Sequence, residues 1–191
     1  MLTALKLPFS FDPDRLRSEL AKIQPDEWVP HFNRQVYDGE WSGVALRSVG
    51  GKPDQLYPDP TAIDAFADTE RLDRCPYYRE VLSAFSCPLT SVRLLRLKAG
   101  SSIRDHRDYR LGYEDGEVRL HVPIVTNSDV AFFVEDQRVP MQEGECWYLN
   151  VNLRHRVDNH SKTDRIHLVI DCVVDDWLAD YFPSEVARSA G

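Results

Sequence analysis

The chain predicts a mainly β fold with supporting helices: a sandwich or barrel such as a jelly roll, preceded by N-terminal helices. Three observations predict it. The apolar period changes from helical to two near Thr90, five β-rich segments follow at close spacing, and turn residues rather than helical patterns separate them. At 191 residues the length suits one domain with a sizeable core. The expected organisation is a single domain over 1–191, with helical and loop support over 1–89, the β core over 90–175 and a C-terminal tail over 176–191.

The elements follow in order. Asp12 before Pro13 reads as an N-cap and first helical residue, and Leu16, Leu20 and Ile23 at i, i+4 and i+7 give the helix one apolar face. The Pro- and Gly-rich connection "SVGGKPDQLYPDP" leads to a short helix expected over "TAIDAFAD", 61–68. A further helix is expected over "CPYYREVLSAFS", where Tyr78, Val81, Leu82 and Phe85 repeat at i, i+3, i+4 and i+7. "SVRLLRLKAG", "EVRLHVPIVT", "DVAFFVED", "ECWYLNVN" and "RIHLVIDCVV" then read as strands bounded by Gly, Asp or Asn turns. The acidic loop "YEDGE", 113–117, reads as a solvated hairpin tip, and the small, polar tail "PSEVARSAG" is expected to fray.

Composition removes several function classes. The 31 acidic residues outnumber the 23 basic ones, for a net charge of -8, and no Lys/Arg block offers a cationic face for phosphates, so no nucleic-acid partner is expected. No apolar run approaches the roughly 18–20 residues of a membrane span, and the N-terminus carries no basic leader or cleavage site, so neither membrane nor export is expected. The four cysteines are widely spaced, with no C-x-x-C. Reduced thiols in a cytoplasmic protein are the expectation.

Chemistry concentrates between 104 and 171. In "RDHRD", His106 and Asp108 are two residues apart, so on an extended segment both side chains project to one side and can bite one ion. "NVNLRHRVDN" supplies His155 as a third ligand, placed where a later strand returns beside the first. Two neutral imidazoles and one carboxylate on one face of an octahedral ion leave adjacent positions open, the arrangement of non-haem Fe(II) oxygenases. Two of those positions can take an α-keto acid and the last can take O₂. Arg165, ten residues after His155, fits the distal carboxylate of such a cosubstrate, because its fork of donors pairs with carboxylates bidentately. On "VRLHVPI", Arg119 and His121 share one face while Val118, Leu120, Val122 and Ile124 share the other, which places the polar pair in a pocket wall near the cosubstrate's inner carboxylate or beside the metal ligands. His167 shares a face with Arg165 and Asp171 and reads as a hydrogen-bonded structural histidine; His160 reads as solvated. Arg47, Arg104, Arg110 and Tyr113 are the candidates for a substrate carboxylate.

The ordered set "HRD", "VRLHVPI", "GECWYLNVNLRHRVDN" and "TDRIHLVIDC" resembles the aspartyl/asparaginyl β-hydroxylase family of Fe(II)/2-oxoglutarate-dependent dioxygenases. The likeness covers about 90–175, and "WVPHFNRQVYDGEWSGVALRS" is similar to the family's leading segment. The resemblance implies a double-stranded β-helix, cupin-like, with His106, Asp108 and His155 at the metal positions, Arg165 on the distal carboxylate of 2-oxoglutarate, and Arg119 and His121 near its inner carboxylate. Asp108 stands where a membrane-anchored branch has glycine, and Leu95 where some members have serine. The chain is thus more similar to the small soluble bacterial members, which include hydroxylases of free proline. The implied activity consumes 2-oxoglutarate and O₂, releases succinate and CO₂, and hydroxylates an unactivated C–H bond, at the β-carbon, of an amino acid that is free or within a peptide. The competing reading is a non-enzymatic cupin-like module that binds a metal or a small acid as a sensor.

Overall fold

The computed structural model describes residues 2–57 and 65–184. Its strands in chain order are β1 (Ala4–Ser10), β2 (Val29–Pro30), β3 (Tyr37–Asp38), β4 (Trp41–Val49), β5 (Phe66–Asp68), β6 (Leu89–Leu97) and β7 (Ser102–His106). They continue with β8 (Glu117–Val125), β9 (Val130–Val134), β10 (Gln137–Val139), β11 (Glu145–Leu149), β12 (His155–Asn159) and β13 (Arg165–Val173). Two antiparallel sheets result, a major one in the order β1-β11-β8-β13-β6-β4-β2, with β5 on β4, and a minor one in the order β10-β9-β12-β7-β3. Facing sheets of this kind make the expected jelly roll. Helices α1 (Pro13–Leu20), α2 (Glu70–Asp73), α3 (Pro76–Ser83) and α4 (Asp176–Ala179) complete the described chain.

The period-two pattern of the major sheet sorts its residues into two cores. From β6, β8 and β13 one parity set, Val92, Leu94, Val118, Leu120, Val122, Ile124, Ile166, Leu168 and Ile170, joins Leu16 of α1 and Tyr78, Val81 and Leu82 of α3 in one apolar cluster. The other parity set, with Leu95, Leu97 and Val169, meets Ile103, Phe132, Val134 and Val157 of the minor sheet. Helices therefore cover the outer face, and the inner face is left to line a cavity between the sheets. The α1 start is as its sequence predicts: Pro13 opens the helix, and the Asp12 carboxylate accepts the Asp14 and Arg15 backbone N–H groups at 2.9 and 3.1 Å.

Residues 1–89 are not only helix and loop. They contribute five strands, and β4 pairs along its length with β6 inside the major sheet. Strand β4 escapes a pattern-based reading because both of its faces are covered, so "WSGVALRSV" has no polar alternation. The helix expected over 61–68 lies partly outside the described residues, and its described end, β5, is a strand. Loop 113–117 is not a plain solvated tip: it holds a short 3₁₀ helix, Tyr113–Asp115, whose buried Tyr113 ring packs 4.6 Å from Phe182. Most of the fraying expected for the tail falls outside the described residues. Among the described residues no helix is long and apolar enough to cross a membrane, and all four cysteines are buried and free.

Candidate active site

Strands β7 and β12 pair so that His106 and His155 stand directly opposite each other, with ring centroids 4.1 Å apart. Asp108 lies two residues past β7, fixed by its backbone N–H donating to the Val151 carbonyl at 2.9 Å. One ligand atom each from His106, Asp108 and His155 falls within 4.8 Å of the other two. The two imidazoles are held alike: His106 Nδ1 lies 2.8 Å from the Arg104 carbonyl, and His155 Nδ1 lies 3.0 Å from the Leu153 carbonyl. A carbonyl only accepts, so each Nδ1 carries the proton and each Nε2 presents a lone pair. That tautomer is the one a metal requires, and the set of two imidazoles and a carboxylate fits iron.

Behind these donors runs a carboxylate and guanidinium chain on the inner face of the major sheet. Arg119 pairs across strands with Asp171, donating from Nε at 2.7 Å and from Nη2 at 2.9 Å, and its Nη1 reaches Asp108 Oδ2. Arg93, fully buried, donates to the same Asp171 carboxylate at 2.5 Å. Asp108 Oδ2 is thereby occupied, while Oδ1 faces His106 Nε2 at 3.8 Å. Burial by itself would raise the Asp108 carboxyl, but Arg119, then His155 and His106, bring it below the usual carboxylate range. For Arg119 the outcome is also set against burial, with Asp171 and Asp108 raising it. Burial pushes His155 down to about 4, so it is neutral at physiological pH.

A second buried cation has no such support. Arg165 at the start of β13 is fully buried, its Nη2 donates to His167 Nδ1 at 2.8 Å, and it has no carboxylate partner among the described residues. Burial alone lowers it to about 9. His121 Nδ1 lies 3.3 Å from the same His167 nitrogen, which leaves His121 Nε2 and Arg165 Nε buried and unpaired. Burial first, then the neighbouring Arg165, holds both His121 and His167 well below the usual imidazole range.

All six residues predicted from sequence, His106, Asp108, His155, Arg119, His121 and Arg165, line one cavity of about 390 Å³. The structure brings them together with Arg93, Trp41, Tyr57 and His31, which sequence reasoning had not placed there. The signal for Arg93 was available: it is a lone cation in the apolar alternation of "SVRLLRL". Of the candidates for a substrate carboxylate, Arg47 is paired with Asp68 and Arg104 with Asp38, Tyr113 is in the core, and none of these or Arg110 lines the cavity. His167 is hydrogen-bonded and buried, and His160 is exposed, both as expected.

Residues 11–174 match the family model described as aspartyl/asparaginyl beta-hydroxylase. The L-proline cis-4-hydroxylase of Rhizobium meliloti (strain 1021) is 31% identical over 181 residues, an alignment covering 94% of this chain and 62% of that protein. L-proline cis-3-hydroxylase 1 of Streptomyces sp is 28% identical over 170 residues, covering 86% and 58%. The chain therefore spans about three fifths of the length of these curated relatives. Among solved structures, a non-haem α-ketoglutarate-dependent epimerase from nogalamycin biosynthesis aligns with TM-score 0.56 at 14% identity, covering 94% of this chain and 85% of that one. A 2OG-Fe(II) oxygenase family oxidoreductase from Burkholderia pseudomallei aligns with TM-score 0.54 at 12% identity, covering 89% and 85%. At those identities the likeness is one of fold. With the family model covering most of its length and a relative above 30% identity, this chain belongs to the aspartyl/asparaginyl β-hydroxylase family.

Proposed function

We propose that the chain is an Fe(II)/2-oxoglutarate-dependent dioxygenase that hydroxylates an unactivated C–H bond of an amino acid. His106, Asp108 and His155 hold the metal, Arg165 holds the distal carboxylate of 2-oxoglutarate, and His121 lies beside the inner carboxylate. Iron, when bound, supplies the activation of O₂ that turns 2-oxoglutarate into succinate and CO₂ and places the remaining oxygen atom in the C–H bond. The observation that carries this reading is Arg165, a fully buried guanidinium without a carboxylate on the cavity that also presents two imidazole Nε2 lone pairs and a carboxylate. An unpaired buried cation is costly unless an anion completes it.

The other residues position these groups. Arg119 occupies one Asp108 oxygen and leaves the other for the metal; Asp171 holds Arg119 in place. The carbonyls of Arg104 and Leu153 fix the imidazole tautomers. Phe132 lies parallel to His155 and under the Arg165 guanidinium, and with Val157 and Ile103 it gives the cavity an apolar wall that limits water. A non-enzymatic metal or small-acid sensor is the second reading; a purely structural metal site would give Arg165 no role.

The test is anaerobic titration of the Fe(II)-loaded protein with 2-oxoglutarate, followed by the weak visible charge-transfer band of a chelated 2-oxo acid. The band is expected to appear, and Arg165→Ala to weaken binding by about one to two orders of magnitude, the loss of a charge-assisted contact of roughly 1.5–3 kcal/mol. His106→Ala and His155→Ala are expected to lose Fe(II) while keeping the far-ultraviolet circular dichroism of the parent. A metal-loaded protein that never shows the band defeats the dioxygenase reading.

A further inference from the structure

Behind Arg165 lies a second cavity, of about 700 Å³, bounded by the β8–β9 turn, β9, β10, the segment from Pro140 to Glu143 and the start of β13. Phe132 and Arg165 line both cavities and form the partition between them, whereas none of the three metal donors reaches the rear one. Its rim is exposed, at Asn127, Ser128 and Pro140, and its floor is the deeply buried pair Arg165 and His167. Val130, Val139 and Met141 give it apolar walls. A concave apolar space with a few polar groups at its base is the usual form of a small-molecule site.

The floor offers donors that the front cavity leaves unused. Arg165 Nη2 donates to His167 Nδ1, and a guanidinium only donates, so Nδ1 presents the lone pair and the neutral His167 ring carries its proton on Nε2. That Nε2–H finds no acceptor among the described residues, and unlike His121 Nε2 it is not sealed in by its neighbours. His167 lines the rear cavity and not the front one, so a cosubstrate in front leaves this donor unpaired. Arg165 Nη1 is open in the same sense, and a guanidinium with five N–H groups has donors for more than one carboxylate. The other charged groups of the rear cavity are engaged: Glu143 with Arg17 and the Thr126 backbone N–H, Arg138 with the Ser128 and Val130 carbonyls.

These atoms select the ligand. A guanidinium and an imidazole N–H side by side call for a single carboxylate. The walls reward an apolar tail, at about 25 cal/mol per Å² buried, and the Glu143 carboxylate on the same cavity disfavours a second negative charge. We infer that the rear cavity is a separate binding site for a monocarboxylic acid with an apolar tail, and that this acid and the cosubstrate weaken each other because both draw on Arg165. The site stands on the rear cavity alone; the antagonism rests on the reading that gives Arg165 to 2-oxoglutarate.

The experiment is isothermal titration calorimetry of the Fe(II)-loaded protein under anaerobic conditions, with sodium octanoate as the probe and octanamide as its uncharged counterpart. Octanoate is expected to bind, with octanamide about tenfold or more weaker, the loss of a charge-assisted contact. Saturating octanoate is expected to raise the apparent Kd for 2-oxoglutarate about five- to tenfold, and saturating 2-oxoglutarate to raise that for octanoate by the same factor, as reciprocity requires. Met141→Trp and Val130→Phe each fill the rear cavity from a residue that does not line the front one. Each is expected to weaken octanoate by about tenfold or more, and to leave 2-oxoglutarate within about twofold of the parent. Absence of octanoate binding, or octanamide equal to octanoate, would overturn the site. Octanoate binding unchanged in both filled variants would overturn it too, by placing the acid in the front cavity. Two acids that bind without weakening each other would overturn the sharing of Arg165. If 2-oxoglutarate itself does not bind while octanoate binds and is lost in Met141→Trp, the rear site stands and the dioxygenase reading falls.

Discussion

Two groups of buried arginines share the inner face of the major sheet, and they are built in opposite ways. Arg93 and Arg119 meet around Asp171, and Arg119 continues to Asp108, so each guanidinium has a carboxylate within hydrogen-bond reach. Arg165 stands against His167 and the face of Phe132, with imidazoles where the first group has carboxylates. The cross-strand geometry is similar in both cases. Asp171 is paired with Arg119, and Arg93, opposite Val169, reaches Asp171 along the diagonal; His121, also opposite Val169, reaches His167 along another. Chemistry separates the two groups. A compensated cation holds the fold and aims its neighbours, whereas an uncompensated one is a receptor whose anion arrives from outside.

Opposite signs in stability give the largest test of that contrast. Asp171→Asn leaves two guanidiniums buried without their shared carboxylate, and is expected to cost about 3–5 kcal/mol in urea unfolding of the metal-free protein. Arg165→Met replaces an uncompensated cation by an apolar chain of similar length, and is expected to stabilise the metal-free protein by about 1–4 kcal/mol. Destabilisation by both substitutions to a similar extent would mean that Arg165 is held by the fold as Arg93 is. At a 2-oxoglutarate concentration a hundredfold above the parent Kd, where the parent gains about 2.7 kcal/mol, the same Arg165→Met protein should gain only about 0.4–1.4 kcal/mol, as a ten- to hundredfold weaker Kd requires.

Imidazoles standing in for carboxylates also make the cavity sensitive to acid. Burial pushes His31 down to about 4; Asp108 opposes that shift, and Arg93 and His106 add to it. The unfolded ring titrates near 6.5. Between those values the unfolded chain binds a proton that the folded chain does not, so this contribution is complete above about pH 6.5, falls as the pH falls, and is gone by about pH 4. His31→Phe is expected to remove about 3 kcal/mol of the loss between pH 6.5 and 4, measured as chemical unfolding across that window. His155, pushed down to about 4 in the same way, leaves the variant with a residual slope. An unchanged slope would mean that the His31 ring is protonated in the folded protein.

Much of the receptor side was legible in the sequence, and much of the scaffold was not. His106, Asp108 and His155 are readable because a two-residue spacing on an extended segment and a histidine opening a later strand are local features. Arg165, Arg119 and His121 are readable because each breaks an apolar alternation. Asp171 follows the same parity, yet its partners are cross-strand neighbours whose register no local pattern fixes. Trp41 and Tyr57 have a further obstacle. They sit on and just after β4, which is covered on both faces and so reads as neither helix nor strand, and β1 is masked likewise by Pro8 at an edge where its register shifts. Arg47 and Arg104 illustrate the converse: as cations they looked available, but each is held by an aspartate away from the cavity.

The smallest effect tests whether the outer, helix-covered face is independent of the inner one. Asp12 caps α1 with two backbone hydrogen bonds, and α1 is tied to α3 by the Tyr78 hydroxyl donating to the Leu16 carbonyl at 3.0 Å. None of these atoms borders the cavity, because the parity that turns Arg165, His167 and Asp171 inward turns Ile166, Leu168 and Ile170 toward the helices. Asp12→Ala is expected to lower stability by about 1 kcal/mol, the usual worth of a cap, and to leave the Kd for 2-oxoglutarate within about twofold of the parent, since sites without shared partners add independently. If affinity falls together with stability, the sheet transmits strain from its helical face to Arg165, and the division into a structural face and a receptor face does not hold.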